Sequence, residues 1–252
     1  MISLFRKIRQ KLLQQNRVTR YLAYAVGEIV LVVIGILIAL QINTWNEQRK
    51  DKEKENSILL GLYTESLGNR ENLKTTIQHH EALLETTKSL MGLFYLSDYE
   101  LKNYNLDSLI ERTIDFRDFN PSLSVIQDLI SSGNLGLISS ENLRVLIFDW
   151  GRETEELKES YETLDESAAQ LMLPYLTKNA SMKNIDRYGF LKWEEKSRFN
   201  VSTHLLFQEL EFENNLDNQA WGLANYLKAL YVLEEIIEKI ISETSPNRIP
   251  AE

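Results

Sequence analysis

The chain has 252 residues, a formal net charge of −9 and no cysteine. That length suits one membrane span plus one domain, and the missing thiols exclude disulfides, thiolate nucleophiles and cysteine metal sites. Residues 45–252 hold 22 basic and 36 acidic side chains, a balance that argues against nucleic acid as a partner because phosphate binding needs a basic surface.

Residues 1–20 carry Arg6, Lys7, Arg9, Lys11, Arg17 and Arg20 and no acid. Ile2, Phe5, Ile8 and Leu12 recur among them at helical spacing. The pattern predicts an amphipathic helix over residues 2–16, lying on an anionic leaflet with its cations at the lipid headgroups. The same six cations set topology, because short basic flanks are retained in the cytoplasm.

Leu22–Ile42 reads LAYAVGEIVLVVIGILIALQI, an apolar run with one charge, Glu28. At a helical rise of ~1.5 Å per residue it covers roughly 31 Å, the thickness of a bilayer's hydrocarbon core. The far flank, EQRKDKEKE, alternates sign and sums to zero. Gln41, Ile42, Asn43, Thr44 and Trp45 offer no small-x-small cleavage site. Residues 21–44 are therefore expected to be an uncleaved signal-anchor with the N-terminus cytoplasmic and the domain of residues 45–252 outside, which in the inner membrane of a Gram-negative bacterium means the periplasm. The lipid bilayer is the first expected partner.

Glu28 is the costly residue of this run. Tyr24 and Trp45 suit the two interfaces, which places Glu28 about one turn inside the cytoplasmic boundary. A carboxylate there must snorkel, take up a proton or find a partner. Glu28, Gly35 and Ile42 are seven apart and share a face, and Gly35 with Ala39 forms a small-xxx-small pair beside it. That face would pack closely on another helix, in a homo-oligomer or with a different membrane protein. The alternative, Glu28 reaching the headgroups from a span shifted toward Trp45, stays open.

Beyond the span the pattern remains helical. Residues 45–72 read as a helical stalk with Glu47–Lys50 and Arg49–Glu53 pairs, and residues 73–244 as a bundle of five or six helices. Leu73, Ile77, Leu84, Met91 and Phe94 follow a repeat near 3.5, and a shorter element covers Leu106–Ile114. Asn120-Pro121 reads as the cap and first residue of a helix with Leu123, Ile126, Leu129 and Ile130 inward, stopped by Gly133. Ser139 or Ser140 caps the clearest helix. Its stripe is Leu143, Leu146, Ile147, Trp150, Leu157, Tyr161, Leu164, Leu171 and Tyr175, with Pro174 marking the end. Residues 177–203 are weakly patterned. Helices over His204–Leu216 and Asn218–Ser242, the latter with Trp221, Ala224, Leu227, Tyr231, Ile237 and Ile241 inward, close an all-α fold before a frayed tail, 245–252.

No constellation specifies a reaction. His79 and His80 are adjacent, so on a helix they point ~100° apart, and no second ligand lies three or four residues away. Glu153, Glu155, Glu156 and Glu159 sit beside an apolar stripe, where a solvated face is the default. Phosphate-binding, dinucleotide and nucleophile-elbow motifs are missing, so no metal, cofactor or catalytic group is expected. Trp193 is the aromatic least explained by packing.

The runs FRKIRQKLL and YAVGEIVLVVIGILIALQINTWNEQRK, with ISSGNLGLISSENLR over Ile130–Arg144, resemble the signature of a family of uncharacterised single-pass membrane proteins of Gram-negative bacteria. They cover about a quarter of the chain. The resemblance implies a membrane protein of unknown function and carries no catalytic residues. The expected role is a non-enzymatic, membrane-tethered interaction or sensing module. Two rivals are a subunit of an ion-conducting or proton-driven complex using Glu28, and an enzyme with its site in residues 177–203, around Asp186, Arg187, Tyr188 and Trp193.

Overall fold

The computed structural model describes the backbone of residues 17–248 and the side chains of residues 21–247. No strand occurs among the described residues, and the fold is all-α, as expected. The amphipathic segment expected over residues 2–16, with Arg6, Lys7, Arg9 and Lys11, lies outside the described residues. So do the side chains of Arg17 and Arg20 and the end of the expected tail.

The chain divides into two compact units, Met1–Glu55 and Asn56–Glu252. The first contains the start of α1, a helix that runs from Arg17 to Leu93. From Leu22 to Ile42 its side chains are apolar apart from Glu28, Gln41 and the glycines, and they are exposed around the helix. One helix among the described residues is long and apolar enough to cross a membrane, and it is this one. Past the apolar run, local pairs take over: Asn43 donates to Glu47 at 3.0 Å, Arg49 lies 3.8 Å from Glu53, and Lys52 lies 2.8 Å from Glu55.

The second unit takes the rest of α1 and adds α2 (Asp98–Leu101), α3 (Leu106–Ile114), α4 (Ser124–Ser131), α5 (Glu141–Ser167), α6 (Leu173–Asn179), α7 (Met182–Ile185) and α8 (Leu210–Thr244). Its main core lies where α5 and α8 pack along each other and receive Leu62, Leu73, Ile77 and Leu83 of α1. A second cluster gathers Leu90 and Leu93 of α1 with Leu101, Ile110, Tyr175, Phe207 and Phe212. Both arise from apolar stripes at helical period facing one another.

Several details depart from the periodic reading. The buried line of α1 is Leu62, Ser66, Asn69, Leu73, Ile77, His80, Leu83, Thr87 and Leu90. Leu84, Met91 and Phe94 are only partly buried beside it. The seam thus begins at Leu62, within the stretch read as stalk, and polar residues occupy four of its positions. Asn120 and Pro121 do not start a helix; α4 begins at Ser124, and Ile130 is exposed. Ser140 does cap α5, accepting from the Leu143 N–H at 3.2 Å.

Pro174 does not end the α5 stripe either. A π-turn at Ala168–Met172 joins α5 to α6, with Pro174 in the first turn of α6, where its missing N–H costs little. The extra residue rotates the face, so Ala168 and Met172 turn inward and Leu171 outward. The two C-terminal helices are one, α8, preceded by a 3₁₀ segment at Thr203–Gln208. Its core face is Leu223, Tyr226, Leu230, Leu233 and Ile240, whereas Trp221 and Tyr231 are exposed.

Candidate functional site

Two irregular segments of the second unit hold most of its unusual polar chemistry. The first is the strap of residues 115–123 between α3 and α4. It has no repeating hydrogen bonds of its own, so its backbone groups must find partners elsewhere. Polar residues on the faces of α1 and α8 that look inward supply them.

His80 is fully buried, and its Nδ1–H donates to the Thr76 carbonyl one turn earlier at 2.8 Å. Its Nε2 accepts from the Arg117 N–H at 3.3 Å, which fixes the tautomer. Burial, more than the neighbouring His79 and Arg117 charges, holds His80 below its ordinary value of 6.5, although the Thr76 bond opposes this. His79 donates from Nε2 to the Asp115 carbonyl. From the other side the Phe119 N–H donates to the Tyr226 hydroxyl at 2.8 Å, and Gln219 Nε2 donates to the Thr113 carbonyl. The His80 and Tyr226 rings meet edge to face at 4.9 Å. Burial drives the Tyr226 hydroxyl well above the usual tyrosine range, and it raises the Asp118 carboxyl beside it.

The strap's end is fastened by two further residues of α1. Asn69 grips Ser122 in both directions, accepting from its N–H at 2.7 Å and donating to its carbonyl at 2.8 Å. Glu65 accepts from Ser122 Oγ at 2.9 Å, Ser124 Oγ at 2.6 Å and the Val125 N–H at 3.1 Å. A carboxylate thereby caps α4 across 59 residues of sequence, complementing the dipole at its N-terminus. An open groove of about 820 Å³ runs between this part of α1 and the strap, past Gly61, Gly68 and Asn72. No group of three or more metal-ligating side chains occurs among the described residues.

The second segment is the lobe of residues 186–201, inside the weakly patterned stretch. Arg187 spends its guanidinium on the carbonyls of Trp193 and Glu194, at 3.0 and 3.2 Å. The Lys192 N–H returns to the Asp186 carbonyl at 3.2 Å, and Ser197 N–H donates to Asn184 Oδ1 at 2.8 Å. Gly189 lies so close to Glu111 that any Cβ there would collide with the carboxylate. Burial raises both the Glu111 and Asp186 carboxyls. Trp193 and Tyr188 are exposed.

The residues singled out in the span are not brought to any of this. Glu28, Gly35 and Ala39 lie exposed in α1 in the first unit, and a Cβ at Gly35 would meet no atom within 4 Å beyond the helix's own backbone. Sequence reasoning missed His80, Tyr226, Asn69 and Glu65 as a set. For Asn69 and His80 the one visible signal was a polar side chain at a position of an otherwise apolar seam.

A family profile described as "Family of unknown function (DUF6090)" matches residues 28–160. The match begins at Glu28, takes in the strap with its α1 partners, and ends within α5; Tyr226 and the lobe lie outside it. No curated protein and no solved structure matches the chain. The profile covers just over half of the residues, and the chain belongs to this family of unknown function, DUF6090.

Proposed function

We propose that this protein is a single-pass protein of the bacterial inner membrane, N-terminus cytoplasmic, whose helical domain works in the periplasm as a non-enzymatic interaction or sensing module. One observation carries the reading. The helix that enters the packed helical unit begins with a run of apolar side chains that the protein itself leaves uncovered from Leu22 to Ile42. In water such a surface would be a severe liability, and in a bilayer it is the natural one. The helix can also pair through its Glu28–Gly35–Ala39 face, with a second copy or another membrane protein, which would give the carboxylate a partner.

The buried polar groups support a non-catalytic role. His80 Nε2 and the Tyr226 hydroxyl are engaged by backbone N–H groups of the strap, His80 Nδ1 by the Thr76 carbonyl of its own helix, and the Arg187 guanidinium by the lobe. None is left directed at an open cavity. The test is topology. Protease added to spheroplasts should digest a tag placed at residue 252 and spare one placed at residue 1. Protection of the C-terminal tag contradicts the orientation. Glu28→Gln addresses the ion-carrier alternative, because a helix that moves ions through Glu28 loses that activity when the carboxylate becomes an amide.

A further inference from the structure

The lobe of residues 186–201 presents its apolar side chains outward. Phe190 is 97% exposed and Phe199 65%, with Leu191, Trp193 and Val201 exposed around them. Single exposed hydrophobic residues are ordinary; five within twelve residues of one loop are not. Nor is this a frayed segment. Arg187, Asp186 and Asn184 tie its backbone together, and Thr203 fastens its exit to Asp107 of α3 at 2.6 Å. Lys192 is held at a φ of +48°, unfavourable for a residue with a side chain and retained where the surroundings over-determine it. The loop's own bonds hold these aromatic side chains away from the core.

Charge is segregated to the same place. The lobe itself contains four basic and three acidic residues, a net +1, and with Lys178 and Lys183 just before it the stretch 177–203 is net +3, while the rest of 45–252 is net −17. Lys192, Lys196 and Arg198 are exposed, and among the described residues they make no ion pair. Arg198 lies over the Phe199 ring at 5.0 Å, cation and aromatic side by side at the surface. Glu194 and Glu195 share the loop and reduce its charge without reversing it.

We propose that this lobe is a second membrane contact, one that docks on an anionic lipid surface. Phe190, Leu191 and Phe199 enter the acyl boundary, Trp193 sits at headgroup level, and Lys192, Lys196 and Arg198 meet lipid phosphates. Aromatic and aliphatic tips flanked by cations are the composition of interfacial anchors. Each cation near an anionic surface contributes about a fivefold gain in partitioning. The proposal deepens the interaction reading above, since it names the partner's chemistry, and a chain held by its own span keeps the lobe at high local concentration near bilayers.

The experiment uses the full chain inserted into nanodiscs of phosphatidylcholine and mixed with labelled vesicles of phosphatidylcholine, with or without phosphatidylglycerol. Flotation should recover the discs with the phosphatidylglycerol vesicles about tenfold more than with phosphatidylcholine alone. The Phe190→Ser/Phe199→Ser variant should lose that capture at an unchanged melting temperature, and Lys196→Glu/Arg198→Glu should lose the preference for phosphatidylglycerol. Capture no better than that of empty discs overturns the proposal, as does capture that survives both variants. So does association of discs with one another in place of vesicles, which would make a second copy the occupant. Failure of the chain to enter discs counts against the membrane span alone, and flotation of the chain itself then reads the lobe.

Discussion

The strap at 115–123 and the lobe at 186–201 are both irregular, both rich in aromatic residues, and handled in opposite ways. The strap lies on the bundle, with Phe119 buried and its backbone gripped by His80, Tyr226 and Asn69. The lobe grips itself and turns Phe190 and Phe199 to the outside. Hydrophobicity does not separate the two, since both are a mixture of Phe, charge and small polar residues. What separates them is on the neighbouring helices. A segment lacking regular structure can be buried only where side chains supply the hydrogen bonds its backbone would lose. The seams of α1 and α8 carry polar residues opposite the strap, whereas the lobe uses the guanidinium of Arg187 for its own carbonyls.

The contrast can be broken by mutation, most forcefully at its two phenylalanines. Phe119→Ala should cost about 3–5 kcal/mol, the range for truncating a buried aromatic side chain, whereas Phe190→Ala should stay within about 0.5 kcal/mol. Chemical denaturation of the detergent-solubilised chain, followed by circular dichroism, reads both. Equal costs would erase the distinction. Next in size is Tyr226→Phe, which keeps the packing and leaves the Phe119 N–H without its acceptor. A loss of about 1–3 kcal/mol is expected, and a neutral result would mean that the strap is not held through this bond.

Glu65→Ala should cost about 0.5–2 kcal/mol, the range for losing a helix N-cap. Its signature is faster amide exchange in the first turn of α4 and unchanged exchange in the lobe. The mildest probe is pH. His80 titrates below 6.5 in the folded protein and near 6.5 once unfolded, so the unfolded chain binds the extra proton first. Stability is therefore full above 6.5 and falls as pH drops from there toward the lowered folded value. His80→Gln should flatten that part of the profile, and an unchanged slope would assign the titration to another group.

Much of the architecture was legible in the chain. The stripe from Leu143 to Leu164 is almost wholly buried, and Leu106–Ile114 forms a helix with those limits. The errors share a cause. On α1 and α8 the seam is interrupted by Asn69, His80, Thr87, Asn215 and Gln219, so apolar periodicity alone marks only part of the buried face. On α8 Leu227 and Ile237 of the expected face are buried, whereas Trp221, Ala224 and Tyr231 are exposed at its margin. The π-turn at Ala168–Met172 has no periodic signature until the phase beyond it is known. The cap that Glu65 places on α4 spans dozens of residues, which no local capping rule can find.

The central claim is that α1 crosses a bilayer between Leu22 and Ile42, and alkaline extraction of membranes tests it most directly. The account predicts that the full chain stays in the membrane pellet after alkaline washing. It also predicts that Leu31→Arg/Ile38→Arg, two charges in the middle of the run at about 2.5–3.5 kcal/mol each, releases it to the supernatant. Release of the unaltered chain by the same wash would contradict the account.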